Sequence, residues 1–238
     1  MTHHRSLLRL AAAAVAVPAL LAACTGGGGG VPTIPPITEG PSPTSTPAAT
    51  HPGPTYPAGC PTTQPAALAT DAVRTVTIKT DKGDIVLEIK GSLSPIAAGN
   101  FVALADCGWY DGVVFHRVVQ NFVIQGGDGQ FGRSPDVIPG LVGTGGPPYT
   151  IQDEPVTATY GRGVVAMART TEPNSVGSQF FIVLTDEART PLQDANTYQI
   201  IGKVTSGMDA VDAIAAAAGD QEIPSNPVVM TKVTVATP

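Results

Sequence analysis

The sequence predicts a mainly β domain, folded as an antiparallel closed barrel with helices over its ends. Three observations carry that expectation. Many short segments with strand patterning succeed one another between residues 73 and 236, each bounded by turn residues. Only two stretches have helical periodicity. No internal repeat runs through the chain, so the strands belong to one sheet system and not to a solenoid.

The elements follow in order. "VRTVTIKTDKGDIVLEIK" alternates apolar and polar residues on both sides of "DKGD", which predicts a β-hairpin over residues 73–90. "SPIAAGNFVALADCG" predicts a helix with Ser94 as N-cap, Pro95 at the first helical position and Gly108 at the stop. Ile96, Phe101, Val102 and Ala105 are expected on its buried face. Strands are expected at 112–118, 121–126, 163–168, 179–184 and 197–204. "SGMDAVDAIAAAAGD" reads as a second helix closed by Gly219, and "VVMTKVTV" as a last strand.

Ahead of this domain lie two segments of another kind. Residues 1–23 carry Arg5 and Arg9 and then the acid-free apolar run "LAAAAVAVPALLAA", the pattern of an export signal. The run ends in "LLAAC", which resembles the bacterial lipobox. That resemblance implies cleavage before Cys24 and lipidation of its thiol, with several acyl chains needed for firm anchoring. A transmembrane helix or an ordinary signal peptide is the competing reading, but the run is short for a span and leaves Cys24 unexplained. Residues 24–70 are Gly, Pro and Thr-rich, and Glu39 is the only residue charged at neutral pH between Thr25 and Ala67. Such a segment has too little apolar surface to offset its ordering entropy, so it is expected to be a disordered tether, shorter than ~3.1 Å per residue. It could also carry sugars. Residues 71–238 then form a single domain, lipid-anchored on the outer side of the cell membrane.

Composition excludes several functions. The chain has 238 residues, with 13 Lys and Arg against 19 Asp and Glu, and no basic cluster. Nucleic acid is therefore not an expected partner, because phosphate binding needs concentrated positive charge. His116 is the domain's only histidine, which argues against a zinc site. No metal and no cofactor is expected. Two cysteines, Cys60 and Cys107, remain beside Cys24. Outside the cytoplasm they are expected to pair, the alternative being two free thiols.

The motifs narrow the function further. "GDGQFG" at 127–132 matches G-x-G-x-x-G, but "RSPDVIPGLVGTGG" after it is not the helix a pyrophosphate needs. Turn glycines explain it better. His116 has no nucleophile partner and is expected to be a structural, hydrogen-bonded core histidine. Arg117 is different. In "FHRVVQNFVIQGG" alternation puts Phe115, Arg117 and Val119 on one face and His116 and Val118 on the other. A guanidinium among apolar residues is costly without a partner or a purpose. A salt bridge on an exposed face is one explanation. A pocket is the other, since Gln125 and Gln179 repeat the pattern among Phe122, Met167, Phe180 and Phe181.

"FHRVVQNFVIQGGD", "GVVAMARTTEPNSVGSQFFIVL" and "YQIIGKVTSGMDAVDAI" together resemble the signature blocks of the cyclophilins, in order and at the family's spacing, over roughly residues 72–236. The resemblance implies an eight-stranded antiparallel closed β-barrel capped by two α-helices. It also implies peptidyl-prolyl cis–trans isomerase activity on proline-containing polypeptides, and a domain that acts as a monomer. Arg117 matches the catalytic arginine. Phe122, Val123, Gln125, Met167, Ala168, Arg169, Gln179, Phe181, Leu192 and Tyr198 match or border substrate-binding positions. Some positions depart from the family. Val123 replaces a frequent methionine, and Arg169 with "TTEP" replaces a smaller Asn-Ala-Gly-Pro loop. Tyr198 replaces a histidine, as in many bacterial members. Pro191 stands where eukaryotic members carry the tryptophan on which cyclosporin binding leans, so weakened cyclosporin binding is expected.

Rotation of an X–Pro bond meets a barrier of ~18–20 kcal/mol because the amide has double-bond character. No bond breaks, so no nucleophile is required. A fixed, always-charged guanidinium can stabilise the twisted amide while apolar walls hold the ring. A barrel that binds proline segments without turnover is the rival reading, and a serine or cysteine hydrolase fails for want of a nucleophile–base pair.

Overall fold

The computed structural model describes residues 56–236. Its strands are β1 (Val73–Thr80), β2 (Gly83–Lys90), β3 (Arg117–Val119), β4 (Val123–Gly126), β5 (Val164–Met167), β6 (Phe180–Val183), β7 (Ile200–Ser206) and β8 (Lys232–Ala236). The helices are α1 (Pro95–Asp106), α2 (Arg189–Ala195) and α3 (Met208–Ala218). All eight strands form one antiparallel sheet in the order β3-β4-β6-β5-β7-β2-β1-β8. The export signal, Cys24 and the tether up to residue 55 lie outside the described residues.

The sheet curls without closing fully. Its edge strands β3 and β8 share no ladder. The seam is crossed just outside them, where Val114 bridges Val229 and Met230 exchanges 2.8 Å hydrogen bonds with Gly112 and Val113. A continuous ladder fails there because residues 112–114 also bond to the 132–134 segment: Val114 N–H donates to the Gly132 carbonyl and Ser134 N–H to that of Gly112. The expected strand at 112–118 therefore shortens to β3, and the closed barrel becomes a partly closed one.

Alternation places the core. In the β1–β2 hairpin Val76, Ile78, Ile85, Leu87 and Ile89 are fully buried. They join Phe101, Trp109, Phe180 and Val211 in the main core. A second apolar cluster lies on the other side of β6: Phe180 and Ile182 face the main core, whereas Phe181 and Val183 pack with Val123, Tyr160, Leu192 and Ile200. This central strand is buried on both faces, so all four of its residues can be apolar.

Helix α1 differs from the sequence expectation in two ways. Its buried side is built on Ala97, Phe101, Leu104 and Ala105, and Ile96 and Val102 are only partly covered. Ser94 occupies the N-cap position but makes no side-chain cap. The Glu154 carboxylate accepts the Ile96 and Ala97 N–H groups instead, at 2.8 and 2.9 Å. A full negative charge satisfies two unpaired donors and complements the helix dipole better than a hydroxyl could. Helix α3 ends at Gly219 as its sequence suggests.

Residues 56–70, read from composition as the end of the tether, are bound to the domain. Leu68 N–H donates to the Pro95 carbonyl at 2.9 Å, and the Tyr56 ring stacks on Trp109 with centroids 5.6 Å apart. Cys60 is bonded to Cys107, just past α1. Backbone hydrogen bonds and a crosslink hold this segment where apolar composition would not. Helix α2 is the third helix, unforeseen because Pro191 suggests a break. In the first helical turn, however, an N–H has no intrahelical partner to lose.

Candidate active site

The site is built on one row of the sheet. Arg117 lies opposite Gln125, Gln125 opposite Phe181, and Phe181 opposite Ala166. Directly paired residues project to the same face, so these four side chains share a surface. The adjoining row is Val119, Val123 and Val183. Between β3 and β4 the chain turns through Asn121, whose φ of 60° lies in the left-handed region that Asn tolerates. That turn delivers Phe122 beside the row.

The result is a pocket of about 170 Å³ lined by Arg117, Phe122, Val123, Gln125, Ala168, Arg169, Phe181, Leu192 and Tyr198. Leu192 comes from α2, which packs over the second apolar cluster. Tyr198 meets the Phe181 ring edge-on, with centroids 5.3 Å apart. Two expected residues do not line it. Met167 is wholly buried in the main core, because strand alternation turns Ala166 and Ala168 toward the second cluster and Met167 away. Gln179 stands behind the pocket and serves as a support.

Its support is a relay of hydrogen bonds. Arg117 Nη1 donates to Gln125 Oε1 at 3.3 Å, and Gln125 Nε2 donates to Gln179 Oε1 at 3.0 Å. Gln179 Nε2 then donates to the carbonyls of Gly143 and Gly145, both at 2.9 Å. On the other edge of the guanidinium, Nε donates to Glu222 Oε1 at 2.8 Å and Nη2 lies 2.7 Å from the same oxygen. Both sequence explanations of Arg117 thus hold at once: it lines a pocket and it carries an ion pair. Glu222 had no signal in the sequence, since nothing there says that the "GDQEIPSNP" connection crosses β3.

The charge of Arg169 is already engaged within its own loop region. Its guanidinium is engaged by Asp153 at 3.0 Å and by the carbonyls of Thr170 and Glu172. The substituted "TTEP" loop therefore holds its own arginine.

The "GDGQFG" segment has a structural purpose. Asp128 is fully buried, and its carboxylate accepts the N–H groups of Gln130, Phe131, Gly143 and Gly145. Gly127 has φ of 98°, and a Cβ at Gly129 would stand 2.6 Å from the Trp109 ring. His116 is buried as expected, and among the described residues no hydrogen-bond partner meets the distance and angle limits at either ring nitrogen. Burial pushes its pKa below the usual value, with Asp128 opposing, so the ring is held neutral. It lines a separate cleft of about 690 Å³ with Val114, Val142 and Ile223. That cleft is larger, but it lacks the charged donor set among apolar rings.

A small pocket with apolar side chains in its wall and the Arg117 guanidinium at its edge, whose lining has no Ser, Thr, Cys or His, defines a site that binds and polarises without covalent attack. The comparisons with known proteins agree. The family described as "Cyclophilin type peptidyl-prolyl cis-trans isomerase/CLD" matches residues 75–235. A probable peptidyl-prolyl cis-trans isomerase of Brucella abortus is 42% identical over 150 residues, covering 62% of this chain and 74% of that one. A peptidyl-prolyl cis-trans isomerase of Streptomyces antibioticus is 39% identical over 168 residues, covering 66% and 95%. The crystal structure of a Cryptosporidium parvum cyclophilin type peptidyl-prolyl cis-trans isomerase superposes with a TM-score of 0.58 at 28% identity, over 70% of this chain and 99% of that one. A second crystal structure of that protein was determined in the presence of the dipeptide Ala-Pro. The chain belongs to the cyclophilin-type peptidyl-prolyl cis–trans isomerase family.

Proposed function

We propose that Arg117 is the catalytic group of this isomerase, and that the enzyme works outside the cytoplasm on exported and cell-envelope proteins. The observation that carries the catalytic assignment is the guanidinium fixed at the pocket edge beside Phe122, Phe181 and Leu192. The rings and Leu192 hold the proline while the preceding residue turns. The guanidinium donates to the imide nitrogen or the neighbouring carbonyl as resonance is lost. Arg117 can do this without a proton transfer, because it remains charged throughout. Gln125 orients it, and Gln179 orients Gln125.

Location outside the cytoplasm rests on the signal-like residues 1–23, the lipobox-like "LAAC" and the Gly/Pro/Thr-rich segment that follows. Cys24 is then the lipidated anchor, and proline-containing segments of newly exported chains are the substrates. A protease-coupled isomerisation assay on the full chain tests the activity; binding of a proline peptide with no acceleration would leave only a binding module. Metabolic labelling with a fatty acid tests the anchor: label lost in Cys24→Ala supports it, and no label in the unaltered chain overturns it.

A further inference from the structure

We infer that Glu222 is a positioning residue for the isomerase reaction, holding the Arg117 guanidinium in its working orientation before substrate arrives. The inference rests on the catalytic reading of Arg117 given above. It starts from the number of donors. A guanidinium has five N–H groups. Glu222 Oε1 takes Nε at 2.8 Å and one hydrogen of Nη2 at 2.7 Å, and Gln125 Oε1 takes one hydrogen of Nη1 at 3.3 Å. Among the described residues nothing takes the two remaining hydrogens, which leaves them for a substrate. Gln125 alone is a single, long contact at one corner of the fork. Pivoting about it would be open to a long side chain with several rotatable bonds. Glu222 clamps the opposite edge and removes that freedom.

Glu222 is also held independently of the pair. Its own carbonyl accepts the Val118 N–H at 2.8 Å, so its Cα is bound to β3 one residue away from Arg117. Gln120 Nε2 donates to the carbonyls of Ala215 and Gly219, both at 2.7 Å, and ties the end of β3 to the end of α3. The segment that delivers Glu222 is therefore built onto the strand that delivers Arg117. The acid is not among the residues lining the pocket, so it acts on substrate only through the arginine. Its side chain is 60% exposed, so fold stability depends little on it.

The test measures kcat and peptide binding separately, by exchange NMR on a proline peptide with the full chain. Glu222→Ala is expected to lower kcat about fivefold with peptide affinity within about twofold, because a preorganised donor is lost and the apolar walls are kept. Glu222→Gln keeps an acceptor oxygen at the same reach and is expected to retain at least about half of the activity. On an Arg117→Ala background, Glu222→Ala is expected to change nothing more. Unchanged or raised turnover in Glu222→Ala, a loss confined to affinity, or the same loss on the Arg117→Ala background would each overturn the inference. Arg117→Ala alone reports on the catalytic reading: full activity there overturns both, whereas an inactive Arg117→Ala with a fully active Glu222→Ala overturns only the positioning role.

Discussion

Arg117 and Gln125 are directly opposed in the β3–β4 ladder, and the first donates to the second from Nη1 at 3.3 Å. Strand register alone thus brings the pocket's cation and its orienting amide together. Their neighbour in the same row, Phe181, is apolar and almost fully buried. One row of a sheet thereby supplies the polar edge and the wall of the site.

Arg117→Ala should remove an interaction made chiefly in the twisted state. The expected loss is about 2.7–4 kcal/mol of transition-state stabilisation, on the order of 10²–10³ in rate. Peptide binding should change much less, and the fold should survive. Arg117→Lys should rescue poorly, since an ammonium does not reproduce the planar fork. Measurement of kcat/KM beside thermal unfolding checks this; activity within about threefold of the unaltered chain would rule out the assigned role.

The Cys60–Cys107 bond closes a loop with a sequence separation of 47 residues. By loop-closure entropy it should stabilise the domain by up to about 4 kcal/mol. Neither thiol should be alkylated before reduction, and the Cys60→Ser domain should unfold at a lower denaturant concentration. Equal midpoints with and without reductant would show that the bond contributes nothing.

Pro191 stands exposed in the first turn of α2, one residue before the buried pocket residue Leu192. It offers no indole ring and no N–H donor. Cyclosporin should bind weakly while catalysis is retained, and Pro191→Trp should tighten binding in part. A fluorescence titration decides: tight binding by the unaltered chain would refute the expectation.

Burial holds the His116 imidazole neutral, with its pKa below the ordinary value. In the unfolded chain the same ring takes up a proton below about pH 6.5. The unfolded state then binds more protons, so stability is complete above that pH and is lost as the pH falls through the lowered native value. The slope from this one group is at most about 1.4 kcal/mol per pH unit. Denaturant unfolding between about pH 7.5 and pH 5 should show the fall, and His116→Gln should flatten it. An identical slope in the variant would assign the fall to other groups.

The sequence was most informative where periodicity and turn chemistry act locally. The hairpin of β1 and β2 has its register set by alternation on both sides of "DKGD", and Gly219 ends α3 where the helical pattern stops. Arg117, Val123, Gln125 and Phe181 of the pocket lie on β3, β4 and β6, whose short apolar runs are equally legible. What could not be read is set by contacts distant in the chain. Glu154 caps α1 from 58 residues away, and Glu222 reaches Arg117 across 105. No local pattern distinguishes such acids from solvated ones. Composition likewise misplaced residues 56–70, because a backbone hydrogen bond and a crosslink leave no hydrophobic signature. The misplaced Met167 reflects alternation along β5 that the motif match does not report.

Asp128 binds the chain at two places: one carboxylate oxygen holds Gln130 and Phe131, the other holds Gly143 and Gly145. Between these two places, residues 132–134 are tied to the 112–114 segment, and 135–142 form the excursion beyond it. Its length and content are thereby decoupled from the relay that begins at Gly143 and Gly145. Closing a longer excursion costs little once its ends are fixed. This loop is accordingly a place where evolution, or an experimenter, can splice in new sequence while the Arg117–Gln125–Phe181 row stays in register.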